Sequence, residues 1–517
     1  MFLAIVLTIF CTIIAIFYAQ RRRRMSVLER HGIPGPKPHL IFGNMNDYNT
    51  LGYNECYERW KQQYGRVFGY YLGAKPFVVI TDPELLKIIQ IKQFHHFSHR
   101  PYIIPGGIYR NWRYHQMVTR VESFRWKKMR TILSPWFSSS QLKSIVPTIN
   151  ICIDQMMAKV DEMVKNNVDF NIYETLEGLT MDTIDRTAFS IQTDIQSNFD
   201  DNPLIEATRG VFSIKPSQLL ASLLLCFPEF SLFINILRDL TERLDSYFGT
   251  SSHGLLLKAG QTILDNRLKV ANNDKHNGIT NTGYTKDMLQ LLVDSRNNSV
   301  VSDSPVANNK TLTDIEIVAN IIVVHEAAYE SPANILAFII HNLITYPEIQ
   351  NKCFDEIQEL FAKEGNFGYN VMTGLPLTEA IVCETFRLYP TDTLFTSRSP
   401  DKDYRYGKYI LPKGVDIRIP TFQLHRDREL WSDALEFNPN RFLDKESKID
   451  PIIYQPFGVG PRICPGKRFG FLEIKLVLAN ILHRYHLVPG PRTEMGQIEL
   501  DFKLITLSPK NDLTNSS

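Results

Sequence analysis

The feature that most constrains this 517-residue chain is a glycine- and proline-rich loop at residues 457–470, which carries one cysteine, Cys464. Glycine reaches backbone angles that are closed to other residues and has no side chain, so such a loop can approach a flat group closely. Proline fixes φ and stiffens the same loop. The residues concerned are Gly458, Gly460, Gly466, Pro461 and Pro465. The sequence therefore predicts a rigid loop that presents a single thiol.

The chain turns helical from Lys467, so Cys464 is predicted to lie just before a helix N-terminus. That end of a helix favours an anion, here a thiolate that can ligate a metal. A lone cysteine in a turn is more often a buried thiol, but a fixed spacing of five residues makes a chance match rare. The five residues are Phe457, Gly460, Arg462, Cys464 and Gly466. We interpret Cys464 as the thiolate ligand of a haem iron and Arg462 as a cation for a haem propionate.

These five residues meet every position of the pattern Phe-x-x-Gly-x-Arg-x-Cys-x-Gly, and the loop resembles the haem-binding loop of the cytochrome P-450 family. The resemblance implies haem b (iron protoporphyrin IX), with Cys464 as the axial ligand and Phe457 and Arg462 beside the haem. It also implies a mainly α fold with small β-sheets (α+β), in a single haem-thiolate monooxygenase domain with an N-terminal transmembrane helix.

Short β-rich runs at residues 67–71 and 76–80 predict a hairpin around Gly73. Residues 64–92 resemble the early sheet and following helix of the animal microsomal enzymes that oxidise drugs and steroids. Most of the middle third of the chain has helical periodicity, so we expect one mainly helical core.

The best-defined element is a helix from Asp314 to about Thr345. Thr313 and Glu316 are spaced as a capping box at its start, and Pro347 marks its end. Apolar residues lie on all its sides, which is typical of a buried helix.

A motif inside this helix, Ala327-Ala328-Tyr329-Glu330-Ser331, places an acid and an alcohol after two small residues. It resembles the central-helix motif of the family, in which the small residues leave room for dioxygen. In the family the acid and the alcohol organise water and deliver protons. The resemblance therefore implies that Glu330 and Ser331 are catalytic.

The motif departs from the family pattern at three positions. Ala328 replaces the usual second glycine, Ser331 replaces the usual threonine, and Pro332 follows. Serine keeps a hydroxyl, whereas Pro332 leaves the Ala328 carbonyl without its helical partner and predicts a kink. The altered motif also fits an enzyme that rearranges a peroxide without activating dioxygen. Glu326, a second carboxylate on this helix, is either ion-paired or functional.

Three further residues are implied to hold the haem. Trp126 and Arg130 match the Trp-x-x-x-Arg of the family, share one helical face and bring only hydrogen-bond donors, as a propionate requires. Arg398 follows a predicted strand at residues 394–396 and is another propionate candidate.

A charge network is implied by Glu384 and Arg387, which resemble the Glu-x-x-Arg pair of the family. Arg441, between that pair and Cys464, would complete it. Such a buried network specifies the fold without necessarily adding stability.

The N-terminus is an apolar run at residues 2–19 followed by four arginines, Arg21 to Arg24. About 18 helical residues span a thin bilayer, and positive charge after the run favours an anchor over a cleavable signal peptide. By the positive-inside rule the rest of the chain is cytosolic. We therefore predict a transmembrane anchor at 1–20, a basic and proline-rich hinge at 21–44 and a catalytic domain at 45–517, single-pass in the endoplasmic reticulum membrane.

The formal net charge of +2 gives no sign of a nucleic-acid partner. The resemblance implies an NADPH-dependent flavoprotein reductase as electron donor, so NADPH acts indirectly. A basic set around the thiolate side of the haem could attract it. That set is Arg125, Lys127, Lys128, Lys467 and Arg468.

Residues 101–121 and 219–237 are predicted to line the pocket and its entrance, where a lipophilic small molecule arrives from the bilayer. We expect a membrane-bound monooxygenase that inserts one atom of dioxygen into a xenobiotic, steroid or fatty acid. Two alternatives remain open: an isomerase or dehydratase that rearranges a lipid peroxide without reductase, and a non-enzymatic haem or lipid sensor.

Overall fold

A computed structural model of the chain describes most of its length, and the fold follows from these residues. The described ranges are 1–102, 112–166, 168–193, 195–199, 202–212, 219–247, 251–276, 287–296, 311–392, 396–444, 449–491, 493–503, 505–510 and 514–515.

Helices dominate the described residues. They are α1 Phe2–Met25, α2 Val27–Arg30, α3 Met45–Tyr64, α4 Pro83–Lys87, α5 Ser123–Leu133, α6 Ser139–Lys165, α7 Ile172–Phe189, α8 Pro203–Phe212, α9 Leu219–Cys226, α10 Ser231–Tyr247, α11 Ser252–His276, α12 Met288–Asp294, α13 Asp314–Thr345, α14 Pro347–Glu364, α15 Val371–Gly374, α16 Pro376–Leu388, α17 Thr421–His425, α18 Asn440–Leu443 and α19 Lys467–Arg484.

The strands are short. They are β1 Val67–Leu72, β2 Lys75–Ile80, β3 Phe170–Asn171, β4 Tyr404–Tyr406, β5 Tyr409–Leu411, β6 Asp416–Arg418, β7 Leu500–Phe502, β8 Leu507–Pro509 and β9 Thr514–Asn515. One sheet has the order β1-β2-β6, and three two-stranded sheets pair β3 with β9, β4 with β5 and β7 with β8. The predicted mainly α fold with small sheets is confirmed.

The central helix α13 has the predicted bounds. The Glu316 amide donates to Thr313 Oγ1 at 3.3 Å, and the Thr313 amide donates to Glu316 Oε2 at 2.8 Å, so the capping box is present. The helix continues through Pro332 as one element. It packs on α7, α11, α16 and α19 and crosses the domain as its axis.

The predicted hairpin is confirmed as β1 and β2, which are antiparallel with Val67 opposite Ile80. Successive side chains of a strand point to opposite faces, and here both faces are buried. Phe68 and Phe77 join the main helical core, whereas Val78 and Ile80 join a second apolar cluster on the other face. The expected single core is therefore two clusters separated by this sheet.

The helix α1 is long and apolar enough to cross a membrane, by length and composition. It does not stop at the arginines but continues to Met25. Arg21 is buried, donates to the Cys226 carbonyl and pairs with Glu229 at 2.8 Å, and Arg24 pairs with the same carboxylate at 3.0 Å. The predicted hinge thus begins with a helical segment docked on the catalytic domain, and the division at residues 20 and 44 remains a prediction.

Glu384 and Arg387 are both fully buried on α16. Arg387 forms two parallel hydrogen bonds with the Glu384 carboxylate, at 2.7 and 2.8 Å. Arg441 Nε lies 3.4 Å from the same carboxylate. The other Arg387 donors reach backbone carbonyls of His425, Ala434 and Glu436. A charge buried with all its donors engaged ties α16 to the loop that precedes α18.

Arg387→Ala should lower the free energy of unfolding by about 3–5 kcal/mol, because it leaves the buried Glu384 carboxylate without its main counter-charge. The matched control is Arg59→Ala, whose exposed i,i+4 pair with Glu55 should be worth about 0.5 kcal/mol or less. Thermal and denaturant unfolding of both variants measures the difference. Equal losses of unfolding free energy in the two variants would show that the buried network stabilises the fold no more than an exposed ion pair.

Candidate active site

The loop at residues 457–470 takes the conformation that its glycines allow. Gly458 and Gly460 have φ angles of 70° and 76°, a region that favours glycine. A Cβ atom on Gly460 would overlap the carbonyl oxygen of Gln90. The Cys464 amide donates to the Phe457 carbonyl at 2.9 Å and closes the loop. The backbone thus fixes the direction in which the cysteine points.

Cys464 precedes α19, which begins at Lys467 with Gly466 as its N-cap. Its side chain is exposed, yet desolvation raises the pKa of its thiol and outweighs the Gly466 N–H and the charge of Arg130, which both lower it. A thiol that is accessible and also desolvated faces an internal hollow, not bulk water. Burial thus disfavours the free thiolate, and a bound metal cation would favour it.

One stripe of α13 is open. From Glu316 to Ile344 this helix is buried except at Val324, Ala327, Ala328 and Ser331. These four residues are spaced i, i+3, i+4 and i+7, so they form a single face. The stripe begins one turn after Asn320, whose Nδ2 lies 3.6 Å from Met129 Sδ, next to Arg130. Two alanines and one serine thus line a hollow at the middle of the central helix.

Glu330 lies beside this stripe and is not part of it. The side chain is buried, and its Oε1 accepts a hydrogen bond from Lys503 Nζ at 2.7 Å. Burial raises the pKa of this carboxyl, and Lys503 opposes that shift. The structure therefore separates the two residues that sequence placed together: Ser331 is accessible, and Glu330 is held against the β7–β8 hairpin.

Glu326 is buried and has no ion-pair partner in the part of the chain that the structure describes. Its Oε1 also lacks a hydrogen-bond partner there. Burial raises the pKa of this carboxyl to about 8, against an opposing effect from Arg120. Burial therefore favours the neutral form of this side chain at pH 7.

The predicted haem cations converge. Arg462 is buried, donates to the Val121 carbonyl at 2.8 Å and lies 4.7 Å over the Trp126 ring. Arg398 is also buried, and its Nη1 donates to the carbonyls of Thr396 and Ser397. The first two residues of the strand predicted before Arg398, 394 and 395, lie outside the described residues.

Arg100 belongs to the same cluster, and sequence reasoning missed it because no motif surrounds it. Burial is the main cause that lowers the pKa of Arg100 to about 10 and that of Arg462 to about 9. The charge of Arg100 also lowers the pKa of Arg462, whereas Arg120 and Arg130 lower that of Arg100. Arg398 has its pKa lowered well below the usual range by burial and by the charges of Arg100 and Arg462. Arg130 has its pKa lowered by burial, which the charge of Cys464 opposes.

This cluster of cations fits haem b. Burying several guanidinium groups together is unfavourable without an anion, and a dianionic pair of propionates would supply one. Asp392 and Glu122 compensate only in part, since burial still lowers the pKa of Arg100, Arg398 and Arg462. Arg462 Nε and Nη1 have no hydrogen-bond partner among the described residues, so two buried donors are available to such a ligand.

The predicted reductase-binding residues divide into two groups. Arg125 pairs with Glu316 at 2.8 Å, and Lys128 donates to the Thr311 carbonyl. Lys127, Lys467 and Arg468 are exposed. The structure thus leaves three of the five cations as a basic surface next to the cysteine loop.

Glu326→Gln should become more stable than the wild type as pH rises. Burial raises the pKa of Glu326 to about 8 in the folded protein. At pH values between the ordinary glutamate pKa and 8, the folded protein holds this proton and the unfolded chain releases it, so the free energy of unfolding falls as pH rises. The wild type should lose about 1.4 kcal/mol per pH unit from this group between about pH 5.5 and 7.5.

Unfolding of both proteins across this range gives the test. Glu348→Gln removes an exposed carboxyl of α14 and serves as the control. A difference between Glu326→Gln and wild type that does not change with pH would show that Glu326 is ionised in the folded state.

The comparisons with known proteins agree with this geometry. A family model for cytochrome P-450 matches residues 33–515. Lithocholate 6-beta-hydroxylase of Mesocricetus auratus is 30% identical over 492 residues, which cover 94% of this chain and 91% of the relative. Cytochrome P-450 3A14 of Cavia porcellus is 31% identical over 473 residues, covering 90% and 88%. Cytochrome P-450 3A5 of Homo sapiens is 29% identical over 487 residues, covering 93% and 90%. The chain therefore belongs to the cytochrome P-450 family and is a haem-thiolate monooxygenase, an oxidoreductase.

Proposed function

We propose that this protein is a membrane-bound monooxygenase of the endoplasmic reticulum that oxidises lipophilic xenobiotics, steroids or fatty acids. Electrons come from NADPH through a flavoprotein reductase. The observation that carries the proposal is the accessible Cys464 in an internal hollow, close to a buried cluster of arginines. When bound, the haem supplies dioxygen activation, in which one oxygen atom enters the substrate and the other leaves as water.

Cys464 would ligate the iron, and the hydrogen bond from its amide to the Phe457 carbonyl holds the loop that carries it. Phe457 anchors this loop on the core, because its ring centroid lies 4.8 Å from that of Phe386 and 5.6 Å from that of Phe471. Arg462, Arg130, Arg398, Trp126 and Arg100 would hold the propionates. Backbone carbonyls fix the side chains of Arg398 and Arg462, so their remaining donors would also help to orient the macrocycle.

Ser331 is the group that passes protons to the reaction centre. Ser331 lies on the open stripe of α13, one turn after the two alanines and directly before Pro332. Pro332 has no N–H, so the Ala328 carbonyl lacks its helical hydrogen-bond donor. This carbonyl can instead accept a hydrogen bond from a water beside Ser331 Oγ. The Glu330–Lys503 pair supports this role from behind the stripe, because Lys503 is partly exposed and links the buried carboxylate to solvent.

The bilayer is the source of the substrate. Residues of α10 expose a row of large apolar side chains, including Leu232, Phe233, Ile236, Leu240 and Leu244. The row begins next to Glu229, the partner of Arg21 and Arg24 at the end of α1. An apolar helix at the end of the anchor is expected to dip into the interface. Residues 103–111, part of the predicted pocket loop, lie outside the described residues.

The haem and its electron supply are tested together. The reduced full-length protein should give a strongly red-shifted Soret band with carbon monoxide, which Cys464→Ala abolishes and Cys11→Ala, at an exposed cysteine of α1, retains. The wild type should then dealkylate a fluorogenic resorufin benzyl ether only with both NADPH and reductase. A wild type without the shifted band contradicts thiolate ligation. Consumption of a lipid hydroperoxide without NADPH, alongside no dealkylation, would identify a peroxide-rearranging enzyme instead.

Ser331→Ala should uncouple the reaction. NADPH oxidation continues, but product per NADPH falls about tenfold and hydrogen peroxide rises, because the hydroxyl no longer passes the proton. Ser331→Thr keeps the hydroxyl and should restore coupling. Equal coupling in the alanine and threonine variants, at equal haem content, would remove Ser331 from the proton path.

A further inference from the structure

A second cavity lies on another side of the central helix. It has a volume of about 600 Å³ and is lined by α7, α8, α11, α12 and α13. Its walls are mostly apolar and include Leu204, Leu255, Ile263, Val270, Ile321 and Ile322. Both its size and its lining are typical of small-molecule sites.

The cavity contains a buried histidine with one unused nitrogen. His325 is 5% exposed, and its Nδ1 lies 2.9 Å from Asp185 Oδ1. Because a carboxylate only accepts, Nδ1 carries a proton, and in the neutral tautomer of that kind Nε2 is an acceptor. Nε2 has no hydrogen-bond partner among the described residues. An unpaired polar atom in an apolar cavity is unfavourable unless water or a ligand meets it, and a ligand hydroxyl can take the place of such a water.

Two other polar side chains of the cavity, Arg267 and Ser190, are engaged with Asp287. Arg267 donates to both oxygens of Asp287, at 3.0 and 2.6 Å. Ser190 Oγ donates to Asp287 at 2.6 Å. Lys258 lines the same cavity and is exposed, so the cavity reaches the protein surface at α11. A ligand can therefore enter from outside and find His325 at the inner end.

This cavity is separate from the haem hollow. Helix α13 contributes Ile321, Ile322 and His325 to its lining. At 3.6 residues per turn, the face formed by these three residues lies roughly 120° around the helix axis from the open stripe. Cys464 and the arginines that surround it do not line it. Among the described residues, the lining of this cavity includes none of the side chains assigned above to the haem.

We propose that this cavity binds a lipophilic molecule that carries a hydroxyl group, with the hydroxyl donating to His325 Nε2 and the apolar body against α11 and α13. It is a second site, distinct from the one where substrate is oxidised. Asp185 acts as a positioning residue, since it holds the tautomer that leaves Nε2 as the acceptor.

The test uses full-length holoprotein in lipid nanodiscs, with an azole on the haem iron so that the first site is closed. Equilibrium dialysis compares 1-pyrenemethanol with 1-methylpyrene, which has the same ring system and no hydroxyl. The wild type should bind one equivalent of the alcohol beyond the uptake of empty nanodiscs. Asp185→Asn/His325→Leu, which avoids leaving Asp185 charged and unpaired, should bind the alcohol about tenfold more weakly and 1-methylpyrene with less than a twofold change.

A second variant keeps the test decisive if the first fails to incorporate haem. Ala259→Trp fills the cavity from α11, keeps both His325 and Asp185, and should abolish binding of both probes. Release of the alcohol by the azole would place it in the haem hollow and overturn the proposal. Unchanged alcohol binding in Ala259→Trp would overturn it as well, and so would the absence of saturable binding to the wild type.

Discussion

The rest of the structure depends on the burial of α13. A helix that is buried on nearly every side must satisfy its own polar side chains inside the protein. Each one that does so fixes a neighbour: Asn320 accepts from the Val118 amide, Asn334 from Tyr173, Asn342 donates to Thr385, and His341 contacts the Gly496 carbonyl. The pocket loop, α7, α16 and the C-terminal segment are thereby all positioned by one helix, and the open stripe is defined by what they leave uncovered.

Charge is distributed unevenly around this axis. On α16, Glu384 and Arg387 neutralise each other and form a closed network. Around Cys464 the balance is positive, and the arginine side chains are held in place by backbone carbonyls that cannot neutralise them. The first arrangement specifies a fold, whereas the second is completed only by an anionic ligand. This contrast distinguishes a structural network from a binding site within one protein.

Features that depend on neighbouring residues were predictable from sequence. The bounds of α13, its capping box and the β1–β2 hairpin follow from local spacing, and the cysteine loop follows from its glycines. Contacts between distant segments were not. Lys503 lies 173 residues from Glu330, and Asp185 lies 140 residues from His325. No periodicity or motif links such residues, so neither the displacement of Glu330 from the open stripe nor the histidine of the second cavity could be inferred.

The contact between Arg21 and Glu229 has a consequence for how the protein sits on a bilayer. Both arginines that reach Glu229 lie in the last two turns of α1, and Glu229 directly precedes α10. A flexible tether would let the catalytic domain tumble above the surface. In the proposed membrane-bound state, the ion pairs of Arg21 and Arg24 with Glu229 would fix the tilt of the domain relative to the anchor. The depth of α10 in the lipid would then be set by these side chains rather than by hinge length. Under the proposed function, lipid composition at that depth would then select which compounds the enzyme meets.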